Sequence, residues 1–164
     1  TCAHARLYNN GETCIAAKRF VVVDSVYDKF RDLVIEKFNS YKVGDPMEES
    51  TDVGPMSSSK QRDTLHKQVQ ESVDKGATIT IGGEVPDKPG AFYPPTILEN
   101  IKPDQPAYKD ELFGPVAALI RAKDQNDAFR IANDSRYGLG GAIFSKDEEK
   151  AINLAQQHFD TGMV

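Results

Sequence analysis

Short apolar runs rich in β-branched residues alternate along this chain with segments of helical periodicity. Residues 20–23 and 116–121 are unbroken runs of this kind, which is typical of strands that are covered on both faces. Apolar residues spaced three and four apart lie between and beyond them, and that spacing predicts amphipathic helices. Strands that alternate with helices predict an α/β fold with a largely parallel sheet and helices on both faces.

The same patterns locate the individual elements. We expect strands at residues 20–23, 77–81, 96–98, 116–121 and 142–144. We expect helices after Ser25, over residues 58–75 and 125–133, and after Ser145. Ser25 with Asp28 and Ser145 with Glu148 have the spacing of a capping box, while Gly76 is placed to end the second helix.

The helix faces follow from the apolar spacing. The first helix should bury Val26, Phe30, Leu33, Val34 and Phe38. The second should bury Leu65, Val69 and Val73, and the last should bury Ile152, Ala155 and Phe159.

Composition limits the class of protein. The chain has 164 residues, 39% hydrophobic and 27% charged, as expected for one globular domain. The net charge of −5 argues against a nucleic-acid partner, and no apolar run reaches the length of a membrane span. The two cysteines make a poor disulfide framework and predict free thiols in a reducing cytoplasm.

The ends of the chain suggest a piece of a longer protein. The sequence begins without Met, and an apolar run starts only at its last residues, 163–164. We expect a fragment, although a frayed terminus gives the same pattern.

A thiol follows a turn near the start of the chain. In the sequence Asn9-Asn10-Gly11-Glu12-Thr13-Cys14, Gly11 permits a backbone turn that could present Cys14 at an opening. A thiol in such a place can act as a nucleophile if its surroundings favour the thiolate. The alternative is a buried structural cysteine, which is the commoner fate of a free thiol.

A second segment, residues 109–116, combines a carboxylate, an aromatic ring and a Gly-Pro turn before a strand. Glu111 could accept hydrogen bonds from sugar hydroxyls, and Phe113 could stack on a flat heterocycle. Alone, the segment is more typical of a charged surface run with a core Phe and a turn. The three histidines lack metal-ligand spacing, so no metal site is expected.

Together the two segments resemble the paired signatures of the aldehyde dehydrogenase superfamily, Asn-x-Gly-(Gln/Glu)-x-Cys and Glu-x-Phe-Gly-Pro. Further stretches of similarity follow in the family's order. They are residues 43–46, 53–56, 92–98, 132–140 and 161–164. Within the superfamily, residues 9–20 look most like bacterial succinate-semialdehyde dehydrogenases.

The resemblance implies a role for each matching residue. It implies that Cys14 is the catalytic nucleophile and that its backbone N–H helps to hold the oxyanion. Glu111 would hold the nicotinamide ribose, Phe113 would lie beside the nicotinamide, and Thr13 and Ile15 would touch the substrate. The implied activity is NAD- or NADP-dependent oxidation of a small-molecule aldehyde, possibly succinate semialdehyde, by a homo-oligomeric enzyme.

Parts of the family pattern have no match in residues 1–164. The general-base Glu of the family's "E-L-G-G" segment, the dinucleotide-binding domain and the C-terminal oligomerisation segment are lacking. The expectation is therefore a catalytic, nucleophile-bearing domain over residues 1–164 that is inactive by itself. Two alternatives remain open: a CoA-acylating semialdehyde dehydrogenase, and a folded fragment without catalytic function.

Overall fold

The computed structural model describes residues 1–164, which form a sheet with helices packed around it. The strands are β1 (Arg19–Val23), β2 (Thr78–Ile81), β3 (Thr96–Glu99) and β4 (Val116–Ala122). The helices are α1 (Cys2–Leu7), α2 (Asp24–Asn39), α3 (Ser59–Asp74), α4 (Pro106–Lys109), α5 (Gln125–Asn133) and α6 (Glu148–His158). A single 3-10 turn, Tyr8–Gly11, follows α1.

The sheet has the order β1-β4-β3-β2. Strand β4 pairs in parallel with β1 on one side and with β3 on the other, while β2 joins the edge antiparallel to β3. The predicted largely parallel sheet is therefore confirmed, with one antiparallel edge strand of the kind common in such sheets.

The central strand β4 divides the core into two layers. Ala117 and Leu119 pack with residues of α1 and α2, whereas Val116 and Ala118 pack with residues of α3 and α4. Helix α5 packs on the second face through Ile131. Because successive strand residues point to opposite faces, the apolar run of β4 is buried on both sides and the expected two-sided α/β arrangement is confirmed.

Helix α2 differs from the prediction in its cap and its buried face. It begins at Asp24 directly after β1, with Val23 as its N-cap and no side-chain cap, so Ser25 does not start it. Asp28 accepts a hydrogen bond from Arg121 Nη2 at 2.6 Å instead of closing a capping box. The Arg121 guanidinium also lies over the ring of Tyr27, 3.9 Å from its centroid.

Helix α2 faces the sheet through Tyr27, which belongs to the first core layer. Tyr27, Val34 and Phe38 are its buried residues. The predicted inner residues Val26 and Leu33 are instead exposed, by 51% and 56%. The apolar spacing identified the helix and correctly placed Val34 and Phe38 inward, with Phe30 partly buried against the core. It missed Tyr27 and wrongly included Val26 and Leu33.

Helices α3 and α5 agree with their predicted positions. Ser58 caps α3 by accepting a hydrogen bond from the backbone N–H of Gln61 at 3.1 Å. Leu65 and Val69 are buried as expected, whereas Ser72 takes the third buried position in place of Val73. Gly76 ends this segment with a φ of +95°.

The predictions for residues 142–159 are wrong in three respects. Residues 142–144 form no strand, because no strand lies beside them to complete a ladder, and Phe144 is 69% exposed. Helix α6 is capped by Asp147, which accepts from the backbone N–H of Lys150 at 2.9 Å, not by Ser145. It buries no residue, because this part of the chain packs on α5 and on itself and not on the sheet.

Two further features complete the fold. Helix α1, which the sequence patterns did not predict, packs Ala3 and Leu7 into the first core layer.

None of the helices is both long enough and apolar enough to cross a membrane.

Candidate active site

The thiol of Cys14 follows an unusual backbone turn. Asn9, Asn10 and Gly11 have consecutive positive φ angles of 49°, 55° and 71°. Asparagine and glycine are the residues that adopt this left-handed conformation most readily, which explains the Asn-Asn-Gly sequence. The chain then enters a second turn, in which the N–H of Ala16 donates to Thr13 O at 3.1 Å. Cys14 lies within this turn and is exposed.

The side chains of Asn10 and Glu12 bind the turns around Cys14 to residues 54–57, which are distant in sequence. Asn10 donates from Nδ2 to Pro55 O at 2.8 Å and accepts from the N–H of Gly54 at 3.2 Å. The Glu12 carboxylate accepts from the N–H of Ser57 at 2.9 Å and from its hydroxyl at 2.6 Å. Both donors of Ser57 match a carboxylate, which can only accept.

A buried arginine lies beneath the turn. Arg6 is fully buried and donates from Nη2 to Gly11 O at 2.6 Å, while its Nε and Nη1 have no hydrogen-bond partner. Burial lowers the pKa of the Arg6 guanidinium to about 10, and the nearby carboxylate of Glu111 opposes that shift. A Cβ on Gly11 would overlap both Arg6 Nη2 and the carbonyl oxygen of Gly114. Only glycine fits where these two segments meet.

Lys18 joins the two segments that the sequence had singled out. Its Nζ lies 3.0 Å from Glu111 Oε1. The same ammonium lies 3.2 Å from the carbonyl oxygens of Cys14 and Ala16 and 3.5 Å from that of Thr13. The Lys18 ammonium thus contacts both the turn that carries Cys14 and the carboxylate of Glu111. The sequence analysis did not identify Lys18.

The remaining candidate residues surround this centre. Glu111 and Phe113 are half-buried on the segment before β4, and the carbonyl of Phe113 accepts from Gln61 Nε2 at 3.1 Å. Thr13 is half-buried, whereas Ile15 is 65% exposed. Ile15 borders a mostly apolar hollow of about 250 Å³. The hollow is lined by His4, Ala5, Tyr8, Ile15 and Ala16.

Cys2 has a different environment. It is half-buried against the first core layer, and burial raises the pKa of its thiol. A thiol that is harder to ionise is a poorer nucleophile near neutral pH. Of the two cysteines, only Cys14 is exposed.

A family model described as "Aldehyde dehydrogenase family" matches residues 1–164, the whole chain. The chain belongs to the aldehyde dehydrogenase family. The resemblance drawn from the Cys14 and Glu111 segments is therefore confirmed.

Succinate-semialdehyde dehydrogenases are among the similar aldehyde dehydrogenases. The NADP(+) enzyme of Deinococcus radiodurans is 49% identical over 162 residues, which is 99% of this chain and 34% of that protein. The corresponding enzyme of Mycobacterium avium is 46% identical over 147 residues, or 90% of this chain and 31% of that protein. The chain thus spans about a third of the length of these relatives.

Solved aldehyde dehydrogenase structures share the fold. The succinic semialdehyde dehydrogenase of Streptococcus pyogenes, in complex with NADP+, matches with a TM-score of 0.94 and 41% identity, covering 99% of this chain and 35% of that one. Aldehyde dehydrogenase 21 of Physcomitrella patens, in complex with the reaction product succinate, matches with a TM-score of 0.92 and 34% identity, covering 99% of this chain and 33% of that one.

Proposed function

We propose that this chain is the nucleophile-bearing catalytic domain of an NAD- or NADP-dependent aldehyde dehydrogenase whose substrate is succinate semialdehyde. The observation that carries the proposal is the exposed Cys14 on a turn that Lys18 connects to Glu111. The activities of the Deinococcus and Mycobacterium relatives support the choice of substrate and favour NADP as cofactor.

The residues of this chain provide a path for the first half of the reaction. The Cys14 thiolate adds through Sγ to the aldehyde carbon and forms a thiohemiacetal, whose oxygen becomes negative. The backbone N–H of Cys14 makes no hydrogen bond within the chain, so it is available to donate to that oxyanion. The thioester that follows oxidation is then opened by water to give the carboxylic acid and the free thiol.

Glu111 and Phe113 fit one end of a dinucleotide. Bound NAD or NADP would supply the acceptor for the hydride that leaves the thiohemiacetal carbon. Glu111 is 33% exposed, and only its Oε1 is engaged by Lys18, which leaves Oε2 to accept from ribose hydroxyls. The half-buried Phe113 offers a flat apolar ring to the nicotinamide.

Other parts of the site would come from outside residues 1–164. We place the general base and most of the dinucleotide-binding domain there, because the relatives are about three times as long. Residues 1–164 alone would then lack dehydrogenase activity. The free thiols suit a cytoplasmic enzyme. We also propose that the complete enzyme is a homo-oligomer, as its resemblance to the family implies.

The direct test is aldehyde-dependent cofactor reduction by the full-length protein. We expect absorbance of the reduced cofactor to rise with succinate semialdehyde and NADP+, and succinate to form in equal amount. If reduction instead required CoA and yielded succinyl-CoA, the acylating alternative would replace hydrolysis. No reduction with any aldehyde would reject the proposed function.

Replacing Glu111 by glutamine should slow hydride transfer in the full-length enzyme. The amide keeps the shape of the side chain but loses the ion pair to Lys18 and one acceptor for ribose. Small displacements of reacting groups are costly, so we expect a loss of about 10- to 100-fold in the single-turnover rate of cofactor reduction. Asp110→Asn is the matched control, because Asp110 pairs with Arg136 at the surface. An unchanged rate in Glu111→Gln would remove Glu111 from the site.

A further inference from the structure

We propose that Lys18 is a positioning residue that couples the nucleophile turn to the cofactor-binding carboxylate, so that Cys14 and Glu111 are held as one unit. The inference rests on the proposed function and assigns a role to a residue outside the Cys14 and Glu111 motifs. Its basis is the set of contacts made by one ammonium group, Glu111 Oε1 at 3.0 Å and carbonyls on both sides of the thiol.

The surroundings of Lys18 differ from those of a surface lysine. Its side chain is 17% exposed, whereas that of Lys67, which pairs with Glu71 at 3.7 Å, is 76% exposed. Surface ion pairs contribute little because water competes with them, but a shielded pair is stronger and more rigid. The ammonium has three N–H donors, and its four oxygen neighbours all lie within 3.5 Å. All three N–H donors of the Lys18 ammonium therefore have an acceptor within reach.

Because the peptide bond is planar, these contacts also orient the backbone N–H of Cys14, the proposed oxyanion donor. The carbonyl oxygen of Thr13 and the N–H of Cys14 belong to one trans peptide unit, so they point in opposite directions. When Lys18 draws the Thr13 oxygen towards itself, the N–H of Cys14 is turned away from Lys18. Its contact with the Cys14 carbonyl fixes the next peptide unit in the same manner.

The other contact orients the carboxylate. Lys18 holds Oε1 of Glu111, which restrains the side chain and leaves Oε2 free to accept from the ribose hydroxyls of a bound cofactor. A shift at the cofactor end is thereby transmitted to the turn that carries the thiol. The distance between the attacking sulfur and the hydride acceptor depends on this connection.

Two substitutions in the full-length enzyme isolate this role. Lys18→Met removes the ammonium but keeps most of the aliphatic stem. Lys75→Met is the matched control, because Lys75 also donates to a backbone carbonyl, that of Asp104 at 2.9 Å, but has no contact with the site. The single-turnover rate of NADP+ reduction is measured for both, and for Lys18→Met in the Glu111→Gln background.

We expect Lys18→Met to slow single-turnover hydride transfer about 100-fold, while Lys75→Met leaves it unchanged. In the Glu111→Gln background the loss should shrink at least about threefold, because residues that act through one another are not additive. A purely structural role would give the same loss in both backgrounds. That result, or an unchanged rate in Lys18→Met, would overturn the proposal.

Amide hydrogen exchange provides a test that does not depend on dehydrogenase activity. We expect residues 13–16 and 109–114 to exchange faster in Lys18→Met than in the wild type or Lys75→Met, since one cation ties both segments. Unchanged exchange would overturn the coupling whatever the activity. Faster exchange in both segments of an enzyme that reduces no cofactor would support the coupling and reject the proposed function instead.

Discussion

Replacing Cys14 by alanine should abolish aldehyde oxidation in the full-length enzyme and leave the fold intact. The side chain is exposed on a turn that is held by backbone contacts and by neighbouring side chains, none of which uses the sulfur. Removal of a covalent nucleophile typically costs on the order of 10⁴-fold or more in turnover. Steady-state reduction of NADP+ measures the activity, and thermal unfolding measures the fold.

Cys2→Ala is the control for Cys14→Ala. Cys2 is half-buried, and burial raises the pKa of its thiol, so we expect its loss to leave turnover largely unchanged. The reactivity of the two thiols can be measured separately by alkylation with iodoacetamide. After tryptic cleavage at Arg6 and Lys18, Cys14 lies in the peptide 7–18 and Cys2 in the preceding one. Retained oxidation in Cys14→Ala would refute its assignment as nucleophile.

Gly11→Ala should be the most damaging single methyl addition to the site. Gly11 has a φ of +71°, and its Cβ would overlap the Gly114 carbonyl oxygen and the buried Arg6 guanidinium. The strain of the left-handed conformation and the displaced neighbours should together lower the free energy of unfolding by about 3 kcal/mol. We also expect a loss of about 100-fold in kcat at temperatures where the variant is folded, because the turn that aims Cys14 must move.

Gly76→Ala separates backbone strain from steric overlap. Gly76 also has a positive φ, +95°, but a Cβ there would meet only Lys102 Nζ, at 3.9 Å. We expect it to lower the free energy of unfolding by about 1–2 kcal/mol and to leave kcat unchanged. Chemical denaturation and steady-state kinetics of the two variants provide the comparison. Equal effects on kcat would show that the space around Gly11 is not what shapes the site.

The sequence predicted the elements that carry a strong local signal. Strand β4 is an apolar run long enough to identify by itself, and α5 carries apolar residues at helical spacing. The wrong predictions concern segments whose structure depends on contacts with residues far away in the sequence. Residues 142–144 have the composition of a strand but no neighbour to pair with, and α2 packs into the core through Tyr27, which its apolar spacing did not include.

The candidate site shows the same division. Cys14 and Glu111 were identified from sequence because their motifs have a characteristic order of residues. Lys18 was missed because a lysine near a cysteine gives no indication of the carboxylate that it will meet. Arg6 lies in a segment whose helix was itself not predicted, and its guanidinium lies where a Cβ on Gly11 would overlap it. Contacts between segments far apart in sequence leave no local pattern.

The anchors of the Asn9–Gly11 turn also determine when, during folding, Cys14 reaches its final position. Asn10 contacts residues 44 and 45 positions further along the chain, and Gly11 fits against Gly114, near the start of β4. Closing such long loops is slower than forming local helices. Because Cys14 precedes residues 54, 55 and 114 in the sequence, it leaves the ribosome before these anchoring residues. The turn that positions Cys14 can therefore reach its final form only after Gly114 has been synthesised.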